Sequence, residues 1–340
     1  MSCSYPLRSC VWEITLACCF SCNYCGSKAG CARENELTTD ECLNIAKQLS
    51  DIGCRRVSLI GGEVFMRPDW PSIAKELTSR NVKVSIITNG YLFSEKLLND
   101  IRNCSIESIA VSLDGPEAVH DRFRQKGSFK RAIEAIDVLS RNDIPVSVIS
   151  TLHSENVSHL DEMYDILRQK EIFAWQLQAC SPMGNAVREG VDYRFSMSEV
   201  IRFVEEHKDS APFALGIADN IGYFTDSEGS LRGRANAPFT GCRAGLRSIG
   251  IDSVGNVRGC ESMYAEEFVE GNLREKTLRE IWENPNGFAY NRRFHPALLT
   301  GKCATCERAT RCAGGCRSYN YFVHGKLYES PFCARNERKQ

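Results

Sequence analysis

The chain has 340 residues, and its 42 Lys and Arg side chains nearly balance its 43 Asp and Glu side chains, for a net charge of −1. This balance provides no overall field that would attract nucleic acid or an anionic membrane. With 43% hydrophobic residues, the chain can bury a large core and exceeds the usual length of one domain. It has no apolar run of membrane-spanning length and no signal-peptide pattern, so we expect a cytoplasmic protein with no nucleic-acid or membrane partner.

Short β-rich runs alternate with amphipathic helical stretches between residues 10 and 180. The two periodicities predict parallel strands with helices between them. The predicted strands are 11–16, 57–60, 82–88, 108–113, 145–151 and 172–178. The predicted helices are 39–51, 70–80, 95–103, 129–142 and 158–170. Six β/α units predict an α/β fold, a partial (β/α)6 TIM-like barrel that is not closed.

A cluster of three cysteines follows the first predicted strand. Cys18, Cys22 and Cys25 have the spacing C-x3-C-x2-C, and the aromatic Tyr24 precedes the last of them. Three thiolates on one tight loop can hold three irons of a [4Fe–4S] cluster and leave the fourth iron open to a ligand. Taken alone, the three residues would also fit a zinc knuckle or chance spacing.

Glycines and polar residues follow the next three predicted strands. In such barrels the chemistry lies at the carboxyl ends of the strands, so these residues are site candidates. Glycines permit close approach of the backbone, and a carboxylate there could accept hydrogen bonds from an ammonium group. Each set alone would also fit an ordinary βα turn. The sets are Gly61, Gly62 and Glu63, then Thr88 and Asn89, then Ser112, Asp114 and Arg124.

Taken together, residues 10–180 resemble the core domain of the radical S-adenosylmethionine (SAM) enzymes. The resemblance implies that Cys18, Cys22 and Cys25 ligate a [4Fe–4S] cluster whose open iron is chelated by SAM. It also implies that an electron from an external flavodoxin- or ferredoxin-type reductant cleaves SAM to a 5′-deoxyadenosyl radical, which abstracts hydrogen from a substrate. The resemblance further implies that Tyr24 contacts the adenine of SAM and that Gly61, Gly62 and Glu63 contact its amine. Ser112 and Asp114 would contact the ribose or the carboxylate, and Arg124 would contact the carboxylate. Thr88 and Asn89 would lie beside these contacts in the SAM site. Many family members have proline after Gly-Gly-Glu, where this chain has Val64.

A second group of seven cysteines lies between residues 242 and 333. With 18 cysteines in a long chain that lacks an export signal, soft-metal ligation is favoured over disulfides. A zinc ribbon would explain a C-x2-C pair, but the complete spacing resembles the SPASM extension of radical SAM enzymes. That resemblance implies two auxiliary [4Fe–4S] clusters, and so three in all. One set is Cys303, Cys306, Cys312 and Cys333, and the other is Cys242, Cys260 and Cys316. The predicted domains are a core at 1–180, a connector at 181–235 and a cysteine-rich SPASM domain at 236–340.

Two further residues are candidates for catalysis. The second auxiliary set has only three thiolates, so its fourth position is either open or filled by Cys180 or Glu261. By resemblance to sulfatase maturation, Glu261 could be the base that removes a substrate proton; a solvated turn charge is the alternative. Cys180, at the end of the sixth predicted strand, could donate hydrogen to a substrate radical or have a purely structural role.

Relatives with the SPASM extension mature ribosomally made peptides or proteins. The resemblance therefore implies a peptide or protein substrate, with crosslinking or oxidation ahead of epimerisation. Formylglycine formation in a sulfatase and dehydrogenation of a small molecule are alternatives, and an iron–sulfur electron carrier or a zinc-stabilised binding module is the non-enzyme alternative. Only seventeen residues precede Cys18, so we expect a leader peptide to bind the barrel directly or to arrive on a separate recognition protein.

Overall fold

The computed structural model describes residues 5–223, 225, 227–232 and 238–337, with only the backbone described for Asn336. The chain forms two compact units that alternate along the sequence. Residues 1–21, 27–110 and 243–293 form the first unit, and residues 22–26, 111–242 and 294–340 form the second. In the described part of the chain, no helix is both long and apolar enough to cross a membrane.

Ten strands occur in the described residues. They are β1 (Ser9–Glu13), β2 (Arg56–Ile60), β3 (Lys83–Thr88), β4 (Ser108–Ser112), β5 (Val146–Leu152), β6 (Ala174–Ala179), β7 (Ala214–Ile217), β8 (Ser248–Ile251), β9 (Asn256–Arg258) and β10 (Gly271–Asn272). In the first unit β1 pairs in parallel with both β2 and β8, and β2 pairs in parallel with β3. Antiparallel pairs join β8 to β9 and β9 to β10. In the second unit β5, β6 and β7 form parallel pairs in that order.

Helices connect successive parallel strands, as parallel pairing requires. The helices before β7 are α1 (Thr39–Asp51), α2 (Trp70–Ser79), α3 (Glu95–Asn103), α4 (Glu117–Phe123), α5 (Ser128–Arg141), α6 (Leu160–Leu167), α7 (Asn185–Arg188) and α8 (Met197–His207). Those after β10 are α9 (Leu278–Glu283), α10 (Ala289–Arg292), α11 (Gly301–Ala304), α12 (Ala309–Cys312), α13 (Arg317–His324) and α14 (Ala334–Glu337). The prediction of an α/β fold built from β/α units is confirmed.

Local sequence explains where these elements begin and which side they bury. Helix α1 starts at a capping box in which Thr38 and Glu41 satisfy each other's backbone N–H groups. Along β5 every second residue is buried, from Val146 to Leu152, as expected for a strand that buries one set of alternating side chains. Within that buried set, the Ser150 hydroxyl accepts a hydrogen bond from Trp175 Nε1 at 2.8 Å.

The structure corrects the sequence-based elements in three places. The first strand ends at Glu13 and not at residue 16, because Leu16 N–H donates to Glu36 Oε1 at 2.6 Å and leaves the ladder. Strand β7 lies inside the predicted connector, and β8 lies inside the predicted cysteine-rich region, yet both extend parallel sheets. All six strands predicted for residues 10–180 are present as β1 to β6, and the additional parallel strands lie beyond that range.

Candidate functional site

The cysteine loop follows β1, and its first cysteine belongs to the first unit. Cys18 N–H donates to Gly30 O at 2.8 Å, which holds the start of the loop. Two nitrogen donors face the Cys18 sulfur: Phe20 N–H at 3.4 Å and Asn89 Nδ2 at 3.9 Å. Asn89 Nδ2 also lies 3.4 Å from Cys19 Sγ. Such N–H···S contacts stabilise negative charge on a cluster ligand.

The remaining two cysteines of the loop are held within the second unit by a segment after β6. Asn185 Nδ2 donates to Cys22 O at 3.0 Å, and Asn185 N–H donates to Cys25 O at 2.8 Å. Gly184 has φ +59°, and a Cβ there would lie 2.2 Å from Gly26 O, so only glycine fits. The sequence analysis missed this clamp because it assigned these residues to a connector.

Glu63, in the first unit, is a buried carboxylate held by hydrogen bonds. Its oxygens accept from the Thr88 hydroxyl at 2.9 and 3.0 Å and from Asn89 N–H at 2.8 Å. Burial raises the pKa of Glu63 to about 7, although the hydrogen bonds from Asn89, Thr88 and Phe65 oppose that rise. Among the described residues no ion pair involves Glu63. A cationic ligand group would supply the missing partner.

The two glycines before Glu63 allow the backbone to approach the end of β1. A Cβ on Gly61 would lie 2.6 Å from Thr15 O, and a Cβ on Gly62 would lie 2.3 Å from Ala17 O. Gly62 N–H donates to Thr15 O at 2.8 Å, and Glu63 N–H donates to Ala17 O at 2.7 Å. These bonds place Glu63 beside the chain that leads into the cysteine loop. Val64, which replaces the usual proline, starts a short 3-10 turn and is fully buried.

In the second unit, Tyr24, Asp114 and Arg124 form one buried cluster. The Tyr24 hydroxyl and Arg124 Nε both donate to Asp114 Oδ2, and the Arg124 guanidinium lies 5.5 Å from the Tyr24 ring centre. Burial opposes ionisation of Asp114, but Arg124 holds the pKa of that carboxyl below its ordinary value. Thr151 N–H donates to Asp114 Oδ1 at 2.8 Å. Ser112, the last residue of β4, is half-buried.

Three supporting residues around Asp114 were not predicted. His120 Nδ1 accepts from Asp114 N–H at 3.1 Å, and Asn156 Nδ2 donates to Asp114 O at 2.8 Å. The centre of the His153 ring lies 4.0 Å from the centre of the Phe123 ring and 6.1 Å from the centre of the Tyr24 ring. Burial lowers the pKa of His120 to about 4 and also lowers that of His153, so both rings are neutral at pH 7. A histidine after a turn carries no distinctive sequence signal.

Four of the seven later cysteines line one pocket of the second unit. They are Cys303, Cys306, Cys312 and Cys333, the set predicted for one auxiliary cluster. Ser330 N–H lies 3.4 Å from Cys303 Sγ. The pocket wall between the sulfurs is formed by Ala309, Gly314 and Tyr223. All-cysteine ligation is the usual way to hold a [4Fe–4S] cluster, and four cysteines line this pocket. Among the described residues, however, no group of three or more Cys, His, Asp or Glu side chains is arranged to hold a metal ion.

The other predicted auxiliary set is divided between the units. Cys242 and Cys316 belong to the second unit, and Cys260 belongs to the first. In the second unit, Cys316 N–H donates to the Tyr223 hydroxyl at 3.0 Å. Burial lowers the pKa of Arg317, and the nearby thiols of Cys242, Cys316 and Cys312 oppose that change. Arg317 is therefore a buried cation among the predicted ligands, a feature that the sequence analysis missed.

Glu261 lies in a buried polar cluster of the first unit. A Cβ on Gly250 would lie 2.3 Å from Glu261 N, so glycine is required where the two segments cross. Burial of the carboxyl raises the pKa of Glu261 to about 7, and the Glu13 carboxylate adds to the rise. Glu13 pairs with Arg33 at 2.5 Å, and its second oxygen has no hydrogen-bond partner among the residues that the structure describes. Glu13 was placed inside the first predicted strand and so was not identified.

Cys180 directly follows β6 in the second unit and is buried. Its N–H donates to Leu152 O at 2.8 Å, which continues the sheet ladder. Burial raises the pKa of the Cys180 thiol to about 12, and the Asp114 carboxylate adds to the rise. The thiol is thus neutral at pH 7 and lies on the same side as the Tyr24, Asp114 and Arg124 cluster.

Comparison with protein families matches two segments of the chain. The profile described as Radical SAM superfamily matches residues 12–167, and the profile described as iron–sulfur cluster-binding domain (SPASM) matches residues 242–307. A protein named AdoMet-dependent heme synthase from Methanosarcina barkeri is 30% identical over 340 residues, covering 96% of each chain. The mycofactocin maturase MftC from Mycolicibacterium smegmatis is 28% identical, covering 92% of this chain and 78% of its own.

Solved structures show the same fold. Streptococcus suis SuiB bound to S-adenosylmethionine superposes with a TM-score of 0.78 at 17% identity, covering 97% of this chain and 77% of that chain. SuiB bound to its precursor peptide SuiA gives a TM-score of 0.74 at 17% identity, covering 96% and 75%.

Proposed function

The chain belongs to the radical SAM superfamily and carries a C-terminal iron–sulfur domain, and from this premise we propose that it modifies a peptide or protein by radical chemistry. The cluster and SAM, when bound, supply the 5′-deoxyadenosyl radical that abstracts a hydrogen atom from the substrate. Loss of that hydrogen atom leaves a substrate radical. A crosslink or another oxidation would follow once the radical gives up a second electron, which an auxiliary cluster would accept, and a proton, which Glu261 would accept. An external flavodoxin- or ferredoxin-type protein provides the electron.

The observation that carries this proposal is the buried Glu63 carboxylate. Thr88 and Asn89 hold this carboxylate, and no described residue gives it a cationic partner. A binding module or a simple electron carrier does not need such a group. The N–H groups of the SAM amine would donate to this carboxylate and complete the site. In the second unit, Arg124 and Tyr24 orient Asp114, and we assign this cluster to the other polar groups of SAM.

The cysteines divide into three proposed ligand sets. Cys18, Cys22 and Cys25 hold the cluster that binds SAM, and the four-cysteine pocket supports the first auxiliary cluster. Cys242, Cys260 and Cys316 are assigned to the second. Arg317, buried beside Cys242 and Cys316, would offset the negative charge of their thiolates.

Two residues are proposed to act on the substrate. Glu261 is placed as the base because its carboxyl lies in a polar cluster directly after the ligand Cys260. Cys180 is placed as a hydrogen donor because its thiol is buried, neutral and close enough to Asp114 to sense that charge. Both assignments depend on where the residues lie in the fold. Substituting either residue would test its role without changing a proposed SAM contact.

The peptide substrate is supported by the relatives, since one is named a mycofactocin maturase and SuiB was solved with a precursor peptide. The test is to incubate the reduced enzyme and SAM with peptides encoded beside its gene. Mass spectrometry should show the loss of two hydrogen atoms for each crosslink or oxidation. An unchanged peptide mass with full SAM cleavage would remove the peptide proposal but not the radical chemistry.

A second candidate function is haem synthesis, because the relative at 30% identity carries that name and aligns over 96% of both chains. The same assay, supplied with a haem precursor in place of peptide, separates the two candidates. Haem formation seen by absorbance, together with unchanged peptides, would favour the second candidate.

A further inference from the structure

A basic surface surrounds the four-cysteine pocket. Lys302, Arg308 and Arg335 line the pocket together with the sulfurs, and both Lys302 and Arg308 are exposed. Two acidic residues lie near these side chains, and each has a basic partner. Glu307 pairs with Arg335, and Glu329, which accepts from the Thr300 hydroxyl, pairs with Lys326 at 2.8 Å. The whole chain has a net charge of −1, so this local excess of positive charge is not a general property of its surface.

The pocket cysteines lie close to the solvent on this side. Cys306 is partly exposed and Cys303 is 9% exposed. A cluster held by these sulfurs would lie just below the basic surface. Electrons pass between proteins only when the two redox groups come close together, so a cluster in this position suits exchange with a docked protein.

An exposed apolar residue adds to the same surface. Leu298 is 41% exposed and is one of three large hydrophobic residues exposed to this extent in the described part of the chain. The next residue, Leu299, packs with Cys303 and Ala309, which places Leu298 beside the pocket. A small apolar contact with a charged rim is typical of short-lived electron-transfer complexes.

We propose that this surface, Leu298 with Lys302, Arg308 and Arg335, docks an acidic one-electron carrier protein. The inference rests on the proposed function, because it takes the four-cysteine pocket as a cluster site. The carrier loses one electron and the pocket cluster gains it, with no bond broken and no proton transferred. Charge complementarity selects an acidic partner, since its carboxylates would meet the exposed Lys302 and Arg308 and accelerate encounter, while Arg335 offsets the charge of Glu307.

The test measures anaerobic reduction of the holoenzyme by an acidic flavodoxin in its fully reduced state. The variant Lys302→Glu/Arg308→Glu should lower the second-order rate constant by roughly tenfold or more. Reduction by dithionite, a small anion that needs no docking surface, should change far less. The control Lys47→Glu/Lys96→Glu introduces the same charge change at exposed helix positions and should retain the rate with flavodoxin.

The outcomes separate the docking surface from the cluster. An equal flavodoxin rate for variant and wild type, at equal iron content, would overturn the docking proposal. If the double Glu variant loses iron, the milder variant Lys302→Gln/Arg308→Gln replaces it. Its rate constant with flavodoxin is then compared with that of the wild type at equal iron content. If Cys303→Ala/Cys306→Ala loses no iron, the pocket holds no cluster, and both the cluster assignment and the docking proposal are wrong.

Discussion

Asn89 N–H donates to Glu63 Oε2 at 2.8 Å, so the residue after β3 fixes the carboxylate that follows β2. The same asparagine directs its side-chain amide toward the Cys18 sulfur at 3.9 Å. One residue thereby connects the proposed amine site of SAM with a proposed ligand of the cluster. Substitution of Glu63 should therefore affect the affinity for SAM, and substitution of the Asn89 side chain should affect the reduction potential of the cluster.

The affinity for SAM should depend on pH through Glu63. Burial raises the pKa of Glu63 to about 7, so below that pH the free enzyme must lose a proton before the carboxylate can accept hydrogen bonds from the SAM amine. SAM binding should therefore tighten as the pH rises from about 6 to about 8, approaching tenfold per pH unit below the pKa. Equilibrium dialysis of the reconstituted enzyme would measure this change.

Glu63→Gln should weaken SAM binding and flatten its pH dependence in that range. A charge-assisted hydrogen bond contributes about 1.5–3 kcal/mol, which corresponds to a loss of roughly 10- to 150-fold. Glu34→Gln changes an exposed carboxylate and serves as the control. If Glu63→Gln bound SAM with wild-type affinity and with the same dependence on pH, Glu63 would not be part of the SAM site.

Asn89→Ala should make the reduction potential of the SAM-binding cluster more negative. The substitution removes an N–H donor from the sulfurs of Cys18 and Cys19, and hydrogen bonds to sulfur stabilise the more negative, reduced cluster. A bond of about 0.5–1.5 kcal/mol corresponds to roughly 20–60 mV for one electron. A potentiometric titration followed by EPR would measure the reduction potential, with Asn99→Ala at an exposed position as the control. Equal potentials in the wild type, Asn89→Ala and Asn99→Ala would contradict a hydrogen bond from Asn89 to the cluster sulfur.

Gly184→Ala should displace the loop that carries Cys22 and Cys25. Gly184 combines φ +59° with a space that has no room for a Cβ, because Gly26 O would lie 2.2 Å away. Gly190 has φ +64° with nothing within 4 Å of a Cβ, so Gly190→Ala carries only the conformational cost of about 1–2 kcal/mol. Iron content and SAM cleavage should fall in Gly184→Ala and persist in Gly190→Ala. Equal losses in the two variants would show that the close contact of Gly184 with Gly26 does not matter for the cysteine loop.

Iron and sulfide analysis tests the number of clusters. Three [4Fe–4S] clusters predict about twelve irons and twelve sulfides per chain after anaerobic reconstitution, and Cys303→Ala/Cys306→Ala should lower both by about four. Stoichiometric zinc in the purified protein would instead favour a zinc ribbon.

Local patterns made much of the fold and site predictable. Helix α1 was predicted at its observed bounds, because its amphipathic periodicity is a local property of the sequence. The candidates Glu63, Thr88 and Asn89 could be identified because the ends of consecutive parallel strands meet at one edge of a sheet. The predicted roles of these residues, and the predicted domain borders, stay predictions.

Contacts between distant parts of the sequence could not be predicted in this way. The pairing of β8 with β1 joins residues more than two hundred positions apart, and four-residue strands carry too little periodicity to be recognised. The Asn185 clamp on Cys22 and the buried charge of Arg317 depend on tertiary packing. Each residue type taken alone is common in turns and on surfaces.

The most direct test of the central claim is the formation of 5′-deoxyadenosine from SAM by the anaerobically reduced enzyme. We predict that the wild-type protein forms it and that the variant with Cys18, Cys22 and Cys25 all replaced by alanine forms none, while keeping the iron of its auxiliary clusters. Continued formation of 5′-deoxyadenosine by this triple variant would contradict the assignment of the cluster ligands, and none from the fully reconstituted wild type would contradict SAM cleavage itself.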